Sequence, residues 1–142
     1  MNDYHDKSLE LANSNFAPAK ELLAGWGNVN PRRATLLPVF NTANLTKVVS
    51  SGKQVGGAIA RGLGRSYGDS AVNYEGLVLS QISRNRMLLF DSEAGSLTCE
   101  AGVSLAEIIQ CLLPRGWFLP TTPGTKFVTV GGAIAADVHG KN

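Results

Sequence analysis

Gly62, Gly64 and Gly68 fall in the run from Ile59 to Asp69, and a chain able to take positive φ there can turn successive backbone N–H groups toward one anion. Arg65 adds a permanent cation and Ser66 a hydroxyl to the same loop. That is the chemistry of gripping a phosphate-bearing cofactor. The spacing G-x-G-x-x-x-G is one residue longer than the dinucleotide fingerprint, and no helical pattern follows it, which argues against a Rossmann unit. Nor is any glycine-lysine pair followed by Ser or Thr as a P-loop requires. A tight strand-to-loop turn needs glycines even without a ligand, so this loop alone leaves both readings open.

A second glycine-rich block runs from Pro120 to Gly140. Thr129 is expected to cap a short helix from Val130, whose first free N–H groups would offer a second contact to a phosphate or an electron-rich ring edge. Gly131 and Gly132 would let that ligand approach the backbone closely. The alternative is that Gly131, Gly132, Ala133, Ala135 and Ala136 only permit tight helix packing. Asp69 is expected to accept backbone N–H bonds within its own turn. Tyr67 is expected either to stack on a ligand ring or to pack beneath the loop.

These loops need elements to hold them, and the pattern predicts an α/β or α+β domain. A helical segment is expected around Pro18 to Ala24, broken by Gly25, Gly27 and Pro31, with Trp26 anchoring this lead-in against the domain. Leu36 to Phe40 reads as a short strand that Pro38 restricts to an edge or irregular position. Asn44 is the predicted N-cap of a helix carrying Leu45, Val48 and Val49 on one face and closed by Gly52. Gly57 to Ala60 is the strand that feeds the first loop. Further strands are predicted at Gly76–Ser80, Met87–Asp91 and Ser96–Glu100. Ser104 and Glu107 form a capping box that opens a helix, with Leu105, Ile108, Ile109, Leu112 and Leu113 as its core stripe. Pro114 and Gly116 end it.

With 142 residues, 44% of them hydrophobic, the chain holds enough apolar material for one core. A formal charge of +2 gives no reason to propose nucleic acid, and the adjacent Arg32 and Arg33 read as a solvated loop. Cys99 and Cys111 lack metal-ligand spacing and read as small buried hydrophobes, and no metal site is expected. The N-terminus lacks the basic start and apolar run of a secretory signal, no stretch is long enough to span a membrane, and His5 reads as a surface residue. A cytoplasmic protein, soluble or peripheral at the inner membrane surface, is expected.

The ordered motifs Ala60–Asp69, Pro123–Thr125, Thr129–Ala135 and His139–Asn142 resemble the FAD-binding domain of the vanillyl-alcohol-oxidase (PCMH) type, nearest to the decaprenylphosphoryl-ribose oxidases and related aldonolactone oxidases. The similarity runs from about Gly25 to Asn142, so that 1–24 would be a lead-in and 25–142 the N-terminal portion of a split α/β FAD domain. The resemblance implies FAD as cofactor. Arg61, Gly62, Leu63, Gly64, Arg65, Ser66, Tyr67, Gly68, Asp69 and Ser70 would wrap its pyrophosphate, and Gly124, Thr129, Val130, Gly131 and Gly132 would line its other side. It also implies His139 near the flavin, with Lys141 placing positive charge near an anionic substrate or the reduced ring. Taken alone, His139 and Lys141 read more simply as a helix-end imidazole and a solvated tail cation.

Sugar-lactone oxidases of this superfamily often carry a histidine bonded to the flavin where Arg65 stands. A guanidinium supplies no neutral nitrogen nucleophile, so non-covalent FAD is expected. The implied reaction is oxidation of a sugar secondary alcohol, free or lipid-linked, with hydride passing to the flavin while a base takes the hydroxyl proton. An aldonolactone oxidase and an inactive, truncated nucleotide-binding module are the alternatives. Relatives continue past this point into a substrate domain. Weak FAD affinity and poor solubility are therefore expected of the chain alone, unless a second polypeptide supplies the remainder.

Overall fold

A computed structural model describes residues 18–52 and 56–140. His5, Lys141 and Asn142 lie outside them. The elements are β1 (Ala19–Leu23), β2 (Arg32–Pro38), α1 (Thr42–Gly52), β3 (Ala58–Arg61), β4 (Leu77–Ser80), β5 (Met87–Asp91), β6 (Ser96–Cys99), α2 (Leu105–Leu112), a 3-10 turn (Leu113–Arg115) and α3 (Val130–Ala135).

The first sheet has the order β1-β2-β4-β3, with β1 antiparallel to β2 and the other two pairings parallel. Its central strand β4 is buried along its whole length, and the pleat sends its side chains alternately to the two faces. Leu77 and Leu79 meet Leu37, Val39 and Val48, with Leu45 packed alongside. Val78 meets Leu23 and Ala34 on the other face. Burying a valine as fully as Val78 contributes about 2 kcal/mol.

Four sequence expectations fail here. Residues 19–23 form an edge strand rather than a helix, because pairing with Arg32–Leu36 satisfies their backbone and buries Leu23. Pro38 ends an interior strand. It is tolerated because β1 pairs no further than Leu36, and Val39 N–H rather than the missing proline donor reaches the Ser80 carbonyl at 2.9 Å. The cap of α1 is Asn41, not Asn44: its Oδ1 accepts from Asn44 N–H at 2.9 Å. Leu45 and Val48 face the sheet while Val49 is exposed.

Hairpin β5–β6 and α2 enclose a separate core of Val103, Leu105, Ile108 and Leu112, joined by Phe90, Cys99, Cys111 and Trp117. The capping box forms as expected, with Ser104 Oγ accepting from Glu107 N–H at 3.1 Å and the Glu107 carboxylate accepting from Ser104 N–H at 2.7 Å. Gly116 closes the 3-10 turn at φ 82°, a left-handed conformation that suits glycine. Leu113, expected in the core stripe, lies in that turn and is exposed. Both cysteines are free thiols and half-buried.

Candidate functional site

In a parallel sheet the strand ends that carry binding loops lie on one side. Arg61 and Pro38 both pair with Ser80, so the loops leaving β3 and β4 emerge together. The β3 loop is the glycine-rich run. Gly64 takes φ +68°, and a Cβ there would sit 2.3 Å from Arg61 Nη2, so the absent side chain makes room for the arginine. Arg61 donates through Nη1 to the Ala71 carbonyl at 3.1 Å and through Nη2 to the Ala24 carbonyl at 2.7 Å. Burial, and then the charge of Arg65, push its pKa down. Arg61 is thus a strut across the base of the loop.

Above that strut the backbone donors lack protein partners. Among the described residues, no protein acceptor receives the N–H of any residue from Leu63 to Ser70. A row of unpartnered amides in a loop shaped by glycine fits an anion with several oxygens. Arg65, exposed in the same loop, donates to the Leu63 carbonyl at 2.7 Å and lies 5.2 Å from the centroid of the Trp26 ring. Tyr67 is 94% exposed, which excludes packing beneath the loop. The Asp69 side chain accepts no hydrogen bond among the described residues; its carbonyl closes the turn instead, accepting from Val72 N–H at 3.0 Å.

The second block reaches the first at one joint. A Cβ on Gly62 would fall 2.3 Å from Thr129 Oγ1, so the two blocks touch with no room for a methyl group. Thr129 caps α3 as expected, accepting from Gly132 N–H at 3.1 Å. The expectation of free donors there is overturned. Val130 N–H goes to the Val103 carbonyl at 2.8 Å, Gly131 N–H to the Ala101 carbonyl at 2.9 Å, and Gly132 N–H to the cap. A Cβ on Gly131 would lie 2.9 Å from that of Ala101. The start of α3 is therefore a packing joint, and Val130, Gly131 and Gly132 have no amide left for a ligand.

Ala101 belongs to a turn pinned by charge. The Glu100 carboxylate is buried and accepts from Arg86 Nε at 3.0 Å and Nη2 at 2.9 Å. Those hydrogen bonds hold its pKa down at about 2. Arg84 Nε, 3.9 Å from the same carboxylate, is buried without a hydrogen-bond partner.

Beyond α3 the chain turns through Asp137 at φ 46° and returns to the second block, where Gly140 packs against the Thr122 carbonyl. Gly124 nearby is exposed, with open space beside it. His139 is also exposed, its Nδ1 lying 3.1 Å from the Asp137 carbonyl. A carbonyl only accepts, so the proton of that bond sits on Nδ1. In a neutral ring this leaves the Nε2 lone pair available. Ile134 is 76% exposed and borders an apolar cleft of about 310 Å³ shared with Phe90, Leu97, Ile109, Trp117 and Phe118.

The profile of a family described as "FAD binding domain" matches residues 41–142. The chain belongs to that family. Its cofactor is FAD. Decaprenylphosphoryl-beta-D-ribose oxidase of Mycolicibacterium smegmatis is 41% identical over 134 residues, covering 93% of this chain and 29% of that protein. L-gulonolactone oxidase 3 of Arabidopsis thaliana is 29% identical over 68 residues, 48% of this chain and 12% of its own length. A cholesterol oxidase structure from B. sterolicum superposes with a TM-score of 0.75 at 16% identity, over 89% of this chain and 25% of that one. That last likeness shows the FAD-domain fold alone. The chain thus spans under a third of the length of the M. smegmatis protein.

Among the described residues no helix is long and apolar enough to cross a membrane, and no cluster of His, Cys, Asp or Glu is placed to hold a metal.

Proposed function

We propose that this chain is the diphosphate-gripping part of an FAD-dependent oxidoreductase that oxidises a secondary alcohol of a sugar, free or lipid-linked. The observation that carries the reading is the row of open amides from Leu63 to Ser70, joined at Gly62 to the block that carries His139. The donors suit diphosphate oxygens, and Arg65 offsets part of their charge. Arg65 has no nucleophilic nitrogen, which supports non-covalent attachment and disfavours the aldonolactone-oxidase alternative.

FAD, when bound, supplies the hydride acceptor. The chain's own residues bind, orient and move a proton. Leu63 to Ser70 fix the diphosphate, Thr129 fixes the spacing of the two blocks, and Gly124 leaves the backbone beside it open to close approach. His139 takes the hydroxyl proton at Nε2, with Nδ1–H steadied by the Asp137 carbonyl. Lys141, outside the described residues, is assigned on the family resemblance alone to supply positive charge for an anionic substrate or the reduced ring. The sugar specificity leans on the likeness to the M. smegmatis oxidase, of whose length the chain spans 29%.

Incubation of the purified chain with FAD in an excess large enough to load a weak site, followed by removal of the free flavin, tests the cofactor role. A yellow complex that releases all its flavin on acid precipitation is expected. Colour retained in the precipitate would overturn non-covalent attachment, and a colourless protein would overturn the flavin role.

A further inference from the structure

Residues 24–26 lie upstream of residues 41–142, which the family profile matches, yet they hold the glycine-rich loop and its Arg61 strut at four points. The Ala24 carbonyl accepts from Arg61 Nη2 at 2.7 Å, and Trp26 N–H donates to the Ser66 carbonyl at 2.7 Å. Gly25 fits beneath the loop so closely that a Cβ would lie 2.4 Å from the Gly68 carbonyl oxygen and 2.7 Å from that of Ser66. The Trp26 ring, 56% exposed, carries the Arg65 guanidinium on its face at 5.2 Å.

We propose that Trp26 is a positioning residue that acts through Arg65 to prepare this loop for a diphosphate. The inference rests on the flavin reading above and extends it to Trp26, upstream of the residues 41–142 that the family profile matches. A free arginine side chain samples many rotamers, and ordering them on binding costs affinity. Here the guanidinium is already held between two partners, the Leu63 carbonyl and the indole face. Both leave most of its N–H groups available, so the charge waits in place beside the amides. Trp26 is itself tied to the loop by its backbone bond to the Ser66 carbonyl, which places the ring beside Arg65. A lysine at 65 would lose the planar stack, and a leucine at 26 would fill space without offering a π face.

The test titrates FAD against the 142-residue chain and its Trp26→Leu, Trp26→Phe, Arg65→Ala and Trp26→Leu/Arg65→Ala variants. Arg65→Ala weakens binding about tenfold through the lost charged hydrogen bonds. Trp26→Leu weakens it about threefold and Trp26→Phe by less than about twofold, since phenylalanine keeps a ring face. The double variant is no weaker than Arg65→Ala alone, because the ring has nothing left to act through. Multiplicative losses in the double variant, or a phenylalanine variant as weak as the leucine one, would overturn the inference, since both describe a ring that only fills space. Tryptophan emission read without flavin separates the two levels. Arg65→Ala shifts it in the wild-type background and leaves it unmoved in the Trp26→Leu background. FAD uptake without that shift overturns the positioning role alone, whereas a wild-type chain that takes up no FAD overturns the flavin reading and the positioning role with it.

Discussion

The β3 loop and the start of α3 are alike in sequence and opposite in structure. Each is glycine-rich, and each invites the reading of a phosphate cradle. In the loop from Leu63 to Ser70 the amides find no protein acceptor among the described residues, while at Val130, Gly131 and Gly132 every amide is engaged. Glycine does different work in the two places. Gly64 supplies a backbone conformation that frees donors, and Gly131 supplies thinness so that α3 can reach the Ala101 turn. Glycine density therefore marks where backbones come close; only the fate of the N–H groups says whether a ligand or the protein is the neighbour.

The joint between the regions is where disruption should be greatest. Gly62→Ala drives a methyl group into Thr129, and a loss of about 3 kcal/mol is expected in chemical denaturation. Thr129→Ala, which removes the obstructing side chain, should restore part of that loss in the double variant even though alone it removes a helix cap worth about 1 kcal/mol. A double variant no more stable than Gly62→Ala would refute the contact. Ligand binding should separate the regions further. Arg65→Ala weakens FAD about tenfold with little change in melting temperature, while Thr129→Ala lowers the melting temperature and leaves the affinity of the folded protein within about threefold.

The turn that engages the amides of α3 gives a pH-dependent version of the same contrast. Arg86 holds the Glu100 carboxyl at about 2, against an ordinary value of 4.5. The stability this contributes is fully present above the ordinary value and is lost as pH falls toward the folded one. The melting-temperature gap between wild type and Glu100→Gln should hold from neutral pH to about 5 and close below it. A gap that persists unchanged at pH 3 would show that the pair does not stabilise the fold. At the small end, Tyr67→Ala should shift stability by less than about 0.5 kcal/mol, because the side chain is almost wholly exposed.

Much of this was legible from local chemistry. The capping box at Ser104 and Glu107, the Thr129 cap and strand β5 at Met87–Asp91 follow from short-range patterns and stand as read. What was not legible depended on partners distant in sequence. Ala19–Leu23 became a strand because β2 lay beside it, and Pro38 entered an interior strand because β1 stopped short. The α3 amides were engaged by carbonyls of Ala101 and Val103, which no pattern within 120–140 announces. Trp26 was readable as an anchor of the lead-in, but its stack on Arg65 needed residues 26 and 65 to be brought together.

Amide hydrogen exchange measured residue by residue, with and without FAD, tests the contrast most directly. Leu63 to Ser70 should exchange quickly in the free protein and slow on binding, while Val130 to Gly132 should be protected already and change little. Protection gained at Val130–Gly132 with none at Leu63–Ser70 would contradict the account, because it would assign the diphosphate to the wrong glycine block.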